Sequence, residues 1–223
     1  MQKKYLWLMG LFCILLFSLA AAQESDQQLI DRINLHYREL GTFQAKYKQE
    51  SETPALGGAQ AMVFKDVTEG ILSFSKPDLI RLDQIQPRKE ILLSDGKTSW
   101  WYIPEENTAY KYTSRTQSGS LKALVEVLSG SGWLTDSFTV ELVKSQEEGL
   151  IKLRLKPRQE AEDFEFIELG LAQADLRLKT LYIAYLMGQR TRFFFSDIQE
   201  GASLSGTDFT FTPPQGTKIS EGQ

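Results

Sequence analysis

The chain contains 223 residues, with 25 lysine and arginine side chains against 29 aspartate and glutamate side chains, and its formal net charge is −4. This acidic balance argues against nucleic acid as a partner. A single histidine, His36, and a single cysteine, Cys13, exclude a histidine-rich metal site and a disulfide framework, and they leave only carboxylate chemistry for an enzyme.

The first 22 residues have the three parts of a secretory signal peptide. Lys3 and Lys4 precede an apolar run over residues 5–19, and the alanines at 20–22 have the spacing of a cleavage site. We expect residues 1–22 to be removed, which leaves 23 basic and 29 acidic side chains and a net charge of −6. Cys13 follows the bulky Phe12 inside this segment, so the exported chain is predicted to be neither disulfide-bonded nor itself lipidated.

The exported chain is predicted to begin with one amphipathic helix over residues 26–40. Ser25 and Gln28 have the spacing of a capping box, apolar residues recur at helical intervals, and Gly41 follows. Residues 43–51 then alternate apolar and polar side chains, which predicts a strand.

Residues 70–103 are predicted to form three or four strands in series. The last two are joined by a hairpin turn at Asp95 and Gly96. Trp100 and Trp101 are adjacent on one strand and must point to opposite sides, so we expect the sheet to be covered at least partly on both faces.

A short helix and a second series of strands follow. Residues 120–129 place Leu121, Leu124, Val125 and Leu128 at helical spacing before Gly130. Alternation then predicts strands over FTVELVK, LIKLRLKP, FEFIELGLA, LKTLYIAYL, TRFFFSDI and DFTFTP, residues 138–144, 150–157, 164–172, 178–186, 191–198 and 208–213. In the last of these, Phe209 and Phe211 share one face, and Pro213 and Pro214 end the strand.

These elements predict about ten antiparallel strands in meander order and two helices in one domain. A sheet of this length tends to curl, and two helices suit its concave side better than its outside. The large apolar inner face is consistent with a cavity for an acyl chain under a helical lid, or simply with a hydrophobic core.

Catalytic and cofactor motifs are scarce. The carboxylates of EAEDFE, residues 160–165, are typical of a solvated turn, although a carboxylate hydrolase stays an alternative. No glycine-rich phosphate loop is present. We therefore expect no enzyme activity, no cofactor and no metal.

Three stretches together resemble the LolA family of periplasmic outer-membrane lipoprotein carriers. They are SFSKPDLIRL, ILLSDGKTSWWYIPEENTAYKY and DFTFTPPQGTKI, residues 73–82, 91–112 and 208–219. The resemblance implies an incomplete, strongly curved antiparallel β-barrel closed by a helical lid, formed by residues 23–223. It also implies a monomer in the periplasm whose partners are acylated lipoproteins, an inner-membrane lipoprotein-releasing ABC transporter and an outer-membrane lipoprotein receptor.

The same resemblance implies a set of site residues. The acyl-chain cavity is expected to be lined by Leu72, Phe74, Ile80, Leu82, Ile91, Leu93, Trp101, Phe209 and Phe211. The lid is expected to carry Leu121, Leu124 and Leu128. Lys76 stands before Pro77 where the family commonly has an arginine that holds the lid, so we expect Lys76 to be a weaker or differently made lid latch.

Two alternatives stay open alongside the lipoprotein carrier. A protein of this kind can carry another lipid, such as a glycolipid. It can also be a periplasmic sensor or adaptor that uses the same fold to bind a protein.

Overall fold

The computed structural model describes residues 25–55, 63–113, 120–130, 138–158 and 164–221. The predicted signal peptide, residues 1–22, and most of the EAEDFE run lie outside this range. The helices are α1 (Asp26–Glu39) and α2 (Ser120–Ser129). The strands are β1 (Thr42–Pro54), β2 (Val63–Ser75), β3 (Leu79–Gln86), β4 (Glu90–Ser94), β5 (Thr98–Ile103), β6 (Thr108–Thr113), β7 (Phe138–Val143), β8 (Leu150–Pro157), β9 (Phe164–Ala172), β10 (Leu178–Tyr185), β11 (Arg190–Glu200) and β12 (Lys218–Glu221).

Helix α1 begins at the predicted capping box. The side chain of Ser25 accepts from the main-chain nitrogen of Gln28, and the main-chain nitrogen of Ser25 donates to the side chain of Gln28 at 2.9 Å. Both interactions satisfy main-chain groups that the first turn of a helix leaves without partners. Ile33 and Tyr37 form the buried side of the helix, and the predicted helix is confirmed.

The strands form one open, strongly curved sheet in the order β12-β6-β5-β4-β3-β2-β1-β11-β10-β9-β8-β7. The chain therefore makes two antiparallel meanders, β1–β6 and β7–β11, which are joined side by side where β1 pairs with β11. The expectation of a mainly β, incomplete barrel is confirmed. Two features differ from the expectation: β12 pairs in parallel with β6, and neither of these two strands is among those predicted.

The hydrophobic core fills the concave side of the sheet, which we call the inner face. Cross-strand partners share a face, so the pairs Phe43–Phe74, Ala45–Leu72 and Phe74–Ile80 continue one apolar layer across β1, β2 and β3. Leu153, Leu169, Leu181 and Phe193 extend the layer through the second meander. Helix α2 lies in this core, as expected for a helix on the concave side.

The prediction of a strand over DFTFTP, residues 208–213, is wrong. Residues Gly206–Phe209 form a 3₁₀ turn, and the chain after it is irregular until β12. The turn closes locally because Asp208 accepts from the main-chain nitrogen of Ser205 at 2.7 Å. Arg81 on β3 donates to the carbonyl oxygen of Asp208 at 3.1 Å, which fastens this segment to the convex, outer face of the sheet.

The same segment covers residues that were predicted to line the interior. Leu92 lies opposite both Leu82 and Trp101, so Ile91 and Leu93 on either side of it point to the outer face. The ring of Phe211 packs there on Trp100 and Tyr102, with centroid distances of 5.3 and 5.2 Å. Buried Phe209 belongs to the same outer layer. The expectation that Ile91, Leu93, Phe209 and Phe211 line the inner cavity is therefore wrong, because it assumed a register shifted by one residue and a strand that does not form.

Candidate functional site

A cavity of about 320 Å³ opens on the inner face of the first meander, between β1–β5 and the start of α2. Its wall is partly apolar and aromatic and partly polar. The described lining residues are Tyr47, Gln49, Asp66, Thr68, Leu82, Gln84, Glu90, Leu92, Trp101 and Ser120. A concave site with an apolar wall and a few placed polar groups is typical of a ligand-binding pocket.

Trp101 and Glu90 form a fixed part of the wall. The indole nitrogen Nε1 of Trp101 donates to Oε2 of Glu90 at 2.6 Å, and Nε of Arg88 donates to the other carboxylate oxygen. Nη1 of Arg88 also donates to Glu106 at 2.8 Å. The ring of Trp101 stacks on Tyr110 of the neighbouring strand, with the centroids 5.2 Å apart. These contacts hold the indole against the cavity.

Tyr47 supplies a protonated hydroxyl group to the cavity. Burial raises the pKa of its phenol well above the usual value near 10, and the negative charges of Asp83 and Glu90 raise this pKa further. A hydrogen bond from Thr68 opposes this rise in pKa only in part. The Tyr47 hydroxyl therefore stays neutral at physiological pH.

Helix α2 packs over the concave side beside the cavity. Leu121, Leu124 and Leu128, the predicted lid residues, are buried in the core with Ala123 and Val127. The helix ends at Ser129 and is followed by Gly130, whose φ is +60°. A Cβ atom at this position would lie 2.2 Å from the carbonyl oxygen of Tyr37, so only glycine permits the observed close approach of α2 to the end of α1.

Lys76 lies at the same junction. Its Nζ donates to the main-chain carbonyl oxygens of Tyr37 at 2.9 Å and Arg38 at 2.6 Å, in the last turn of α1. The last carbonyl groups of a helix have no partner within it, and they attract a cation. Burial lowers the pKa of the Lys76 ammonium from its usual value, because removing the group from water disfavours the charge.

The nine residues predicted to line the cavity thus fall into three groups. Leu82 and Trp101 line the cavity, while Leu72, Phe74 and Ile80 lie in the packed core of the same inner face. Ile91, Leu93, Phe209 and Phe211 lie on the outer face. Sequence reasoning missed the polar wall of the cavity, although Asp66 and Thr68 continue the even-numbered alternation of Leu72 and Phe74 along β2 and could have been found from it.

The described residues contain no candidate metal site and no candidate membrane-spanning helix. No three of their histidine, cysteine, aspartate or glutamate side chains are grouped as metal ligands. None of the helices within the described ranges is both long and apolar enough to cross a membrane.

Comparison with known proteins gives consistent matches. The family model described as "Outer membrane lipoprotein carrier protein LolA" matches residues 38–212. Outer-membrane lipoprotein carrier proteins of Methylococcus capsulatus and Azotobacter vinelandii are each 28% identical to this chain, covering 98% and 95% of it and 97% and 99% of their own lengths. An uncharacterized conserved protein of Thermus thermophilus has a similar fold, with a TM-score of 0.52 at 14% identity over 88% of this chain and 98% of its own.

Proposed function

Because the chain belongs to the LolA family, we propose that it is a periplasmic carrier that moves lipoproteins from the inner to the outer membrane. Residues 1–22 direct export and are then removed. The mature protein receives an acylated lipoprotein from an inner-membrane ABC transporter and delivers it to an outer-membrane receptor. The step is binding and release, with no covalent chemistry.

The observation that carries this proposal is the position of α2. Its apolar side fills the concave face directly beside a cavity whose volume is at the lower end of the roughly 300–1,000 Å³ of typical ligand sites. Acyl chains therefore need the space that Leu121, Leu124 and Leu128 now occupy. We expect loading to move α2 away from the sheet and to replace its side chains with lipid.

Lys76 stabilises the empty, closed form in this proposal. Its two hydrogen bonds hold the end of α1 at the point where α1 meets the end of α2. Loss of these bonds is expected to favour the loaded, open form and to slow delivery.

Binding of an acylated peptide tests the proposal. Residues 23–223 are mixed with a peptide carrying a diacylated N-terminal residue, and native mass spectrometry measures the complex. We expect a one-to-one complex, and no complex with the same peptide lacking acyl chains. Equal binding of both peptides would indicate a protein-binding adaptor, and no binding of the acylated peptide would contradict the carrier function.

A further inference from the structure

The charged residues that line the described part of the cavity carry a single sign. Asp66 on β2 and Glu90 on β4 both contribute carboxylates, and no lysine or arginine is among the described lining residues. Gln49, Thr68 and Gln84 contribute uncharged amide and hydroxyl groups beside them. The wall therefore combines negative charge with neutral hydrogen-bonding groups.

Neighbouring cations compensate this negative charge only in part. Arg88 forms an ion pair with Glu90, but it is shared, because Nε donates to Glu90 while Nη1 donates to Glu106, and Asp66 makes no salt bridge with any residue that the structure describes. The Glu90 side chain is only 15% exposed and is held by Trp101 as well, so its carboxylate keeps a fixed position in the wall.

Two kinds of acylated molecule in a membrane could enter the cavity. An acylated peptide joins its chains through uncharged ester and amide groups, whereas an anionic phospholipid presents a phosphate. The amide and hydroxyl side chains of the wall can form hydrogen bonds with the ester and amide groups of the acylated peptide. A phosphate placed near these carboxylates meets like-charge repulsion, which burial strengthens at Glu90 and which water screens more at the exposed Asp66.

We propose that this cavity is a selectivity site for the polar part of the cargo. It admits the uncharged ester and amide groups of an acylated peptide, and the carboxylates of Asp66 and Glu90 reject anionic phospholipids with the same acyl chains. The inference rests on the proposed carrier function and adds to it the chemical feature by which lipoprotein is separated from membrane lipid.

Competition between two probes with identical chains tests this selectivity. One is a dipalmitoylated peptide with an uncharged head, and the other is dipalmitoyl phosphatidylglycerol, each below its aggregation concentration. The measured quantity is the ratio of the two dissociation constants for the wild type, Asp66→Asn, Glu90→Gln and the double variant. We expect the double variant to gain affinity for phosphatidylglycerol by about tenfold, with little change for the peptide.

Glu69→Gln is the matched control. Glu69 lies on the same strand as Asp66 but points to the outer face, so its change alters the net charge by one unit, as each single cavity variant does, without changing the cavity. Glutamine at position 90 retains one oxygen that accepts from Trp101 but loses the ion pair with Arg88, which keeps its contact with Glu106, and exposed Asp66 has no role in the core, so both variants should fold. Asp66→Asn frees no paired cation, so its shift reports the loss of the carboxylate alone.

The outcomes separate the two proposals. A shift of the ratio in the cavity variants alone supports the selectivity site. Peptide binding with an unchanged ratio, or an equal shift in Glu69→Gln, overturns it and leaves the carrier function standing. Failure of the wild type to bind either probe overturns the carrier function itself.

Discussion

Lys76 brings one positive charge to two main-chain carbonyl oxygens at the end of α1. An arginine at this position would present a planar fork of donors, whereas an ammonium group is a compact charge on a flexible stem. The observed geometry shows that lysine reaches the same kind of acceptor. It does so at the point where the carbonyl of Tyr37 also touches Gly130.

Replacing Lys76 tests its role in delivery. We expect Lys76→Leu to retain the fold and to lower the free energy of unfolding by about 1–3 kcal/mol, because two helix carbonyls lose a charged donor. Transfer of an acylated peptide from loaded carrier to acceptor membranes should slow several-fold, whereas Lys76→Arg should restore it. Equal transfer rates in the three proteins would remove Lys76 from the mechanism.

The buried hydroxyl group of Tyr37 should make the free energy of unfolding decrease at high pH. This hydroxyl donates to the carbonyl oxygen of Leu176 at 2.9 Å, and burial, followed by the charges of Glu200 and Asp175, raises its pKa well above the usual value near 10. Above pH 10 the unfolded chain releases this proton and the folded chain keeps it, so stability is complete below pH 10 and falls as the pH rises further.

Urea unfolding at several pH values between 8 and 11 checks this expectation. Tyr37→Phe should be less stable at pH 8, because the Leu176 carbonyl loses its donor, and should lose less stability than the wild type between pH 10 and 11. Identical pH dependence of the two proteins would show that Tyr37 does not titrate differently on folding.

Helices α1 and α2 meet through main-chain contact, because Gly130 has no side chain to separate them. This contact could not be predicted from sequence beyond the assignment of Gly130 as the end of a helix. Helical spacing predicted which side of α2 is apolar, and that side is the buried one. It carries no information about the partner helix, which depends on the tertiary fold.

Substitution at Gly130 is expected to disturb this junction. Gly130→Ala should destabilise the protein by about 1–3 kcal/mol, since alanine disfavours a φ of +60° and its Cβ would overlap the Tyr37 carbonyl. Gly41→Ala is the control, because no atom lies within 4 Å of a Cβ placed there. Thermal unfolding of the two variants decides, and similar melting temperatures would argue against a tight junction.

The lid role of α2 predicts a kinetic difference between two buried leucines. Leu124 on α2 and Leu93 on β4 are both buried, so either change to alanine should cost about 2–5 kcal/mol of stability. Leu93 points to the outer face, so only Leu124→Ala weakens the contact that must break for loading. We expect it to accelerate uptake of a fluorescent acylated peptide about tenfold or more, measured by stopped flow, with no acceleration in Leu93→Ala. Equal uptake rates would contradict a moving α2.

The molecule as a whole is two meanders joined edge to edge around one helix-filled concavity. Most strands could be predicted because residues such as Ile151, Leu153 and Leu155 alternate with charged neighbours. The face to which a side chain points depends on the register of its strand, and a register error of one residue exchanges the two faces. For this reason Ile91 and Leu93 were predicted on the inner face, whereas they lie on the outer face. DFTFTP has the alternation of a strand, but it lies on the outer face of the sheet. There Gly206–Phe209 form a 3₁₀ turn capped by Ser205 and Asp208, and Arg81 binds the carbonyl oxygen of Asp208.

Register also provides a pair of internal probes for the cargo. Trp100 and Trp101 are neighbours on β5, yet Trp101 lines the cavity and Trp100 packs under Phe211 on the outer face. Residue 133, the other tryptophan of residues 23–223, is first changed to phenylalanine so that it does not contribute fluorescence. In that background, Trp100→Phe keeps only the inner indole of Trp101, and Trp101→Phe keeps only the outer indole of Trp100. A heavy atom such as bromine on an acyl chain quenches an indole only at close range.

Quenching by a brominated, diacylated peptide therefore locates the acyl chains. With the unbrominated peptide as reference, we expect strong quenching in the variant that keeps Trp101 and little in the variant that keeps Trp100. This result would place the acyl chains on the concave face between α2 and the first meander. Equal quenching of both indoles, or quenching of Trp100 alone, would contradict a carrier that holds its cargo in this cavity.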